Sequence, residues 1–218
     1  MFSHAAAPIT LDEFIKLHIV PRCDIAHARI LIVGDVMLYT MLATAYEPAT
    51  PHAQGRQTSG GAAALAARLC AWGATITLLG IIGHDIAGGW LRTALTTAGV
   101  DDGHLIEDAY SATLHTLFEP NVDVAQNGCS YRARFDEEWA CHYSGRTQRQ
   151  LQDACVAGFE QCDLVIVVDL GFGAISDDLM HRLEFLRLAD RPPIVLITAP
   201  RPAPRLAAAT GSPSPYLG

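Results

Sequence analysis

Aliphatic residues recur along the chain in short unbroken runs, and the stretches between them carry apolar residues at helical spacing. The runs ARILIVGDVML (28–38), ATITLLGII (74–82), DLVIVVDLGFG (163–173) and the segment 193–198 read as strands buried on both faces of a parallel sheet. Helices are expected over 61–72, 86–98, 147–160 and 176–189, with Asp85 capping the second and AGVDD stopping it. Thr10 and Glu13 stand at capping-box spacing ahead of Phe14, Leu17 and His18, which predicts a short amphipathic helix over 10–19. SATLHTLF (111–118) and CSYRARFD (129–136) alternate around Asn127-Gly128, a turn dipeptide, and predict an antiparallel pair. YTMLATAYEPATPHAQGRQTS (39–59) has no clear period and reads as loop with a short edge strand.

That order predicts an α/β fold: an open, doubly wound, mostly parallel sheet with a small antiparallel β-lid. The organisation expected is a helical extension over 1–27 and one α/β domain over 28–198. The lid would lie at about 40–57 and 111–136. The last twenty residues hold five prolines and no apolar period, and read as an extended tail over 199–218.

Composition narrows the classes of function. Half of the residues are hydrophobic and 17% are charged, which supports a packed core and excludes a disordered chain. Fifteen Lys and Arg stand against 23 Asp and Glu, a formal charge of −8, so neither a nucleic-acid partner nor an anionic membrane surface is expected. No apolar run reaches the roughly 20 residues of a membrane helix. The start, MFSHAAAPITLDEF, lacks the layout of a secretory signal, which leaves a cytoplasmic address as the expectation. Six cysteines contain no Cys-x-x-Cys pair, and Cys141-His142 has no second pair at ligand spacing, so free thiols are expected.

The chemistry concentrates at strand ends, where open α/β sheets bind ligands. GDVML after the first run is not Gly-x-Gly-x-x-Gly, and neither a P-loop nor a Gly-x-Ser-x-Gly elbow occurs. TSGGAAALAARLCAWG (58–73) instead sets Gly60-Gly61 directly before a helix, a place where backbone amides can approach a ligand. Gly60, Gly61, Ala62, Ala66, Gly73 and Gly83, with Gly80, Asp85 and Gly88 in LLGIIGHDIAGG, resemble the amino-terminal signature of the PfkB/ribokinase sugar kinases. ILIVGDVML, RFDEE and VDLGFGAIS look most like the kinase domain of heptose-7-phosphate kinases, over roughly residues 28 to 200.

The resemblance implies a ribokinase-like sheet, a lid that often pairs across a homodimer, and a sugar or sugar-phosphate ligand. The substrate-binding candidates are Asp35, Gly60, Gly61, Ala64, Asp169 and, on the lid, Arg134 as a phosphate or carboxylate partner. Each has a structural alternative. Asp35 could cap a loop, Gly60-Gly61 could form a tight turn, and Arg134 could pair with Asp136 or Glu137. Asp85 fits a helix cap better than a ligand contact. His84, His115 and His142 show no partner geometry.

Several positions depart from the family. Tyr39 stands where the family has a sugar-binding Asp, and Ala64 where it has an Asn able to donate and accept. His115 and Leu117 replace basic lid residues. Phe172 replaces a Lys, leaving Asp169, Gly171 and Gly173, and Thr198 replaces an Asp. The family's Gly-Ala-Gly-Asp, an anion hole plus the proton-accepting Asp, has no match in these 218 residues. No catalytic residue or metal ligand is therefore assigned. ATP and Mg²⁺ are expected only where another chain or further sequence completes the site. Three readings follow: an inactive relative that binds a ligand or partner, a kinase completed in that way, or a dimerisation module marked by an exposed apolar sheet edge.

Overall fold

The computed structural model describes residues 10–41, 56–120, 131–136, 143–187 and 192–198, with 117–120, 131–136 and 187 described by their backbone alone. The first half of the chain runs α1 (Leu11–His18), β1 (Arg29–Gly34), β2 (Val36–Met41), β3 (Arg56–Gly60), α2 (Gly61–Ala71), β4 (Thr75–Gly83) and α3 (Ile86–Thr97). The second half runs β5 (Leu105–Asp108), β6 (Leu114–Pro120), β7 (Tyr131–Asp136), α4 (Gly145–Phe159), β8 (Leu164–Asp169), α5 (Asp177–Arg187) and β9 (Ile194–Thr198).

The unbroken aliphatic runs become the main sheet, ordered β5-β4-β1-β8-β9, in which every pairing is parallel. Both faces are buried, which is why these strands lack polar alternation. Ile30 and Ile32 of β1 join Ile76, Leu78, Ile166 and Val168 beneath α2 and α3. Leu31 and Val33 point the other way, with Leu79, Ile81, Val165 and Val167, onto Leu151, Cys155 and Phe159 of α4 and Leu179 and Leu183 of α5. Open, parallel and covered on both sides, the sheet is the α/β architecture expected from the pattern.

The helices α1 and α3 begin where the caps predict, and α4 has a cap that was not anticipated. The Thr10 hydroxyl accepts the Glu13 N–H at 3.2 Å while Glu13 Oε2 accepts the Thr10 N–H at 2.7 Å, closing the capping box. Asp85 caps α3 through the Gly88 N–H at 2.7 Å, and Ser144 caps α4 through the Thr147 N–H at 3.1 Å.

Three expectations need correction. The run 28–38 is not one strand. It breaks at Asp35 into β1 of the main sheet and β2 of a second sheet, ordered β3-β2-β6-β7. Hydrophobicity is continuous across the break because Val36 and Leu38 are buried in the same core, so periodicity could not show it. The small sheet is mixed rather than antiparallel: β2 pairs parallel with β6, while β2–β3 and β6–β7 are antiparallel. β5 was not anticipated, because four residues carry too little pattern; it extends the main sheet by pairing Gly80–Gly83 with Leu105–Asp108. The turn at Asn127-Gly128, the segment 42–55 and the tail 199–218 lie outside the described residues.

Candidate functional site

The site is assembled at the carboxyl ends of β1, β4 and β8, where the small sheet joins the main one. Asp35 sits at the centre. Its N–H donates to the Val168 carbonyl at 3.0 Å, and its carbonyl accepts the Ala62 N–H at 2.8 Å. Its carboxylate is fully buried and receives three backbone N–H groups, from Leu170 (2.7 Å), Phe172 (3.3 Å) and Ala174 (3.2 Å). Burial pushes the Asp35 carboxyl above the ordinary carboxylate range. The three N–H donors oppose the rise, and the nearby Asp169 adds to it. One buried carboxylate therefore orders the whole turn after β8, the loop-capping role.

Gly61 and Gly60 are glycines for two different reasons. Gly61 opens α2 with φ +55°, and a Cβ there would run into the Asp35 carbonyl oxygen. It also bridges Val36 across the strand break. At Gly60, a Cβ would stand 2.5 Å from Cε1 and Cζ of Tyr39, whose ring lies over the glycine. Ala64 is half-buried on the first turn of α2 and presents only a methyl group, beside the buried Ala62, Ala63 and Leu65. Asp169, at the end of β8, is buried and accepts the Gly171 N–H at 3.0 Å in a local turn. Gln148 of α4 donates to the Gly173 carbonyl at 2.8 Å and braces the same turn. Arg134 lies on β7 at the position paired with Phe118, away from the residues around Asp35 along the chain but on the small sheet that meets them.

A second carboxylate clamp flanks the first. Asp85 accepts the Thr113 N–H and hydroxyl, each at 2.7 Å, while the Thr113 hydroxyl accepts the Gly83 N–H at 2.9 Å. Burial raises the Asp85 carboxyl, but the bonds from Thr113 and Gly88 outweigh it and leave the group below its ordinary value. Asp108 is held low by the same balance, with burial opposed by the Tyr110 N–H, the Thr147 hydroxyl and the Ser144 N–H. Two of the three histidines have partners that spacing could not reveal, and His142 lies outside the described residues. His115 shares a 2.8 Å hydrogen bond with Thr40, and His84 faces Glu107 at 3.2 Å.

Chemically, these carboxylates spend their lone pairs on backbone N–H groups and threonine hydroxyls. Among the described residues no group of three or more His, Cys, Asp or Glu could hold a metal ion. A cleft of about 430 Å³ opens at the opposite, amino-terminal end of the sheet, between Arg29, Thr75 and Gly158, and is not continuous with this site. Thr113 and Gln148 were missed from sequence because a lone Thr and a lone helical Gln carry no motif.

The comparisons agree with the fold. The bifunctional protein HldE of Azorhizobium caulinodans is 27% identical over 178 residues, covering 78% of this chain and 36% of that protein. HldE of Helicobacter hepaticus is 26% identical over 161 residues, 70% of this chain and 32% of that one. Among solved structures, a carbohydrate kinase from Agrobacterium tumefaciens superposes with TM-score 0.54 at 18% identity, over 78% of this chain and 53% of its own. The chain is related to the PfkB/ribokinase-type carbohydrate kinases. A fructokinase from Xylella fastidiosa solved with bound ATP gives TM-score 0.55 at 16% identity, over 80% of this chain and 49% of its own. These superpositions give the ribokinase-like fold. This PfkB/ribokinase relative spans about a third of the HldE proteins (36% and 32%) and about half of the solved kinases (53% and 49%). No protein-family model matches the chain.

Proposed function

We propose that this PfkB/ribokinase relative binds a sugar or sugar phosphate, or a protein partner, without itself transferring phosphate. The observation that carries the reading is the state of the strand-end site. Its turns are kept in shape by Asp35, Gly61 and Asp85, while the side chain against Gly60 is Tyr39 and the first turn of α2 carries Ala64. Phosphoryl transfer depends on positioned charge and a base for the attacking hydroxyl, and the Gly-Ala-Gly-Asp that supplies them in the family has no match in this sequence.

A second reading is supported by length. A chain spanning about half of the solved kinases could be completed by another chain or by further sequence, and ATP with Mg²⁺ would belong to that completed site. The substitutions at Tyr39, Ala64 and Phe172 favour the first reading, because lost length alone would leave the amino-terminal site unchanged. For a homodimer, two surfaces are open to proposal: the small sheet, and the edge strand β9, where Leu196 is 48% exposed and neighbouring α5 exposes Phe185 at 74%.

The test measures thermal shift with sugar phosphates and with ATP–Mg²⁺, alongside ADP release. A shift with sugar phosphate and no sugar-dependent ADP release is expected. Sugar-dependent ADP release by the purified chain would refute the inactive reading.

A further inference from the structure

We infer that Tyr39 is a gate built into the glycine-floored site: its ring lies on Gly60 and keeps a ligand from reaching that backbone. This rests on the sugar-binding reading above. Glycine beside a strand-end helix normally gives a ligand close access to the main chain. Here that access is taken by the protein itself. In the β2–β3 register Tyr39 stands opposite Thr58, and Gly60 opposite Met37, so the ring crosses diagonally to reach Gly60. Its Cε1 and Cζ would come within 2.5 Å of a Cβ at position 60, and Cδ1 within 2.8 Å, so a side chain there has to displace the ring.

The two glycines thus divide the work. Gly61 is fixed by its φ of +55° and by the Asp35 carbonyl, so it is required whether or not a ligand binds. Gly60 has neither constraint, and what demands glycine there is the ring. Tyr39 is half-buried, and in the β2–β3 register it stands opposite the half-buried Thr58. A ligand approaching Gly60 would therefore meet the ring and not the backbone floor until the ring moves. The gate sets both affinity and the size of ligand admitted.

The experiment combines binding with a mutant cycle. Binding of fructose 6-phosphate and ribose 5-phosphate is measured by calorimetry for the native chain and for Tyr39→Ala, with Tyr39→Val as the second variant should Ala weaken the strand. Gly60→Ala is then made in the native and ring-free backgrounds and followed by thermal midpoint. The gate predicts at least tenfold tighter binding without the ring. It also predicts that Gly60→Ala lowers the midpoint in the native chain, with at least half of that loss recovered once the ring is gone. Equal affinity with and without the ring overturns the gate and leaves the binding reading standing. An uncoupled Gly60→Ala loss overturns the gate as well. Absence of binding by every variant overturns the binding reading, and the gate with it.

Discussion

The Asp35 carboxylate accepts the Leu170 N–H at 2.7 Å across 135 residues of sequence, and through it the break after β1 fixes the turn after β8. The same carboxylate takes the N–H groups of Phe172 and Ala174, so removing it leaves several buried donors without an acceptor. Asp35→Ala is expected to cost about 3 kcal/mol or more of unfolding free energy, since buried donors robbed of a charged partner cost about 1–3 kcal/mol each. Urea denaturation checks this. A loss indistinguishable from that of a surface substitution would show that the turn holds itself.

Asp35 and Asp85 should respond to pH in opposite senses. The folded carboxyl of Asp35 is raised, so the stability it contributes is present below its unfolded value and lost as pH rises through the folded one. The stability gap between native and Asp35→Asn should therefore narrow as pH rises above about 4. Asp85 is lowered, so its contribution is present above its unfolded value and lost as pH falls through the folded one. The gap to Asp85→Asn should shrink on acidification. Denaturation at several pH values measures both, and parallel pH trends for the two variants would contradict the assignment.

Gly61→Ala should destabilise by about 2–4 kcal/mol, combining a strained left-handed backbone with the collision against the Asp35 carbonyl. Gly89→Ala is the control, because a Cβ at Gly89 meets nothing within 4 Å. In the interior of α3 that control should be neutral or stabilising by up to about 1 kcal/mol.

Thr113→Val keeps the shape of the side chain and removes one hydroxyl that both donates to Asp85 and accepts from Gly83. A loss of about 1–3 kcal/mol is expected, because the Gly83 N–H is left without its acceptor. Hydrogen exchange should show faster exchange at Gly83 than elsewhere in β4, and at Gly88 than elsewhere in α3.

Leu196→Lys tests the open edge. Charge on an edge strand blocks strand addition at small cost to the fold. If β9 is a self-association surface, the native chain runs larger than its monomer mass in solution and the variant runs as a monomer. An unchanged mass would remove β9 from consideration and leave the small sheet.

Much of the fold was legible in sequence. Ile30–Val33 and Leu164–Val168 could only be doubly buried strands, and Thr10, Asp85 and the Gly60–Gly61 pair marked three helix starts through local chemistry. The strand break at Asp35 was not legible, since Val36 and Leu38 stay apolar on either reading. β5 was too short to show a period.

For the candidate site the division is sharper. The sequence by itself determined which chemical groups stand at the strand ends, because strand, cap and glycine signals are local and depend on neighbouring residues. Only the tertiary structure decided what those groups face. That Asp35 holds Leu170, Phe172 and Ala174, that Thr113 holds Asp85, and that Tyr39 covers Gly60 are contacts between distant segments. They arise because a parallel sheet brings the ends of β1, β4 and β8 together, and a buried polar group must take whichever partner that packing delivers.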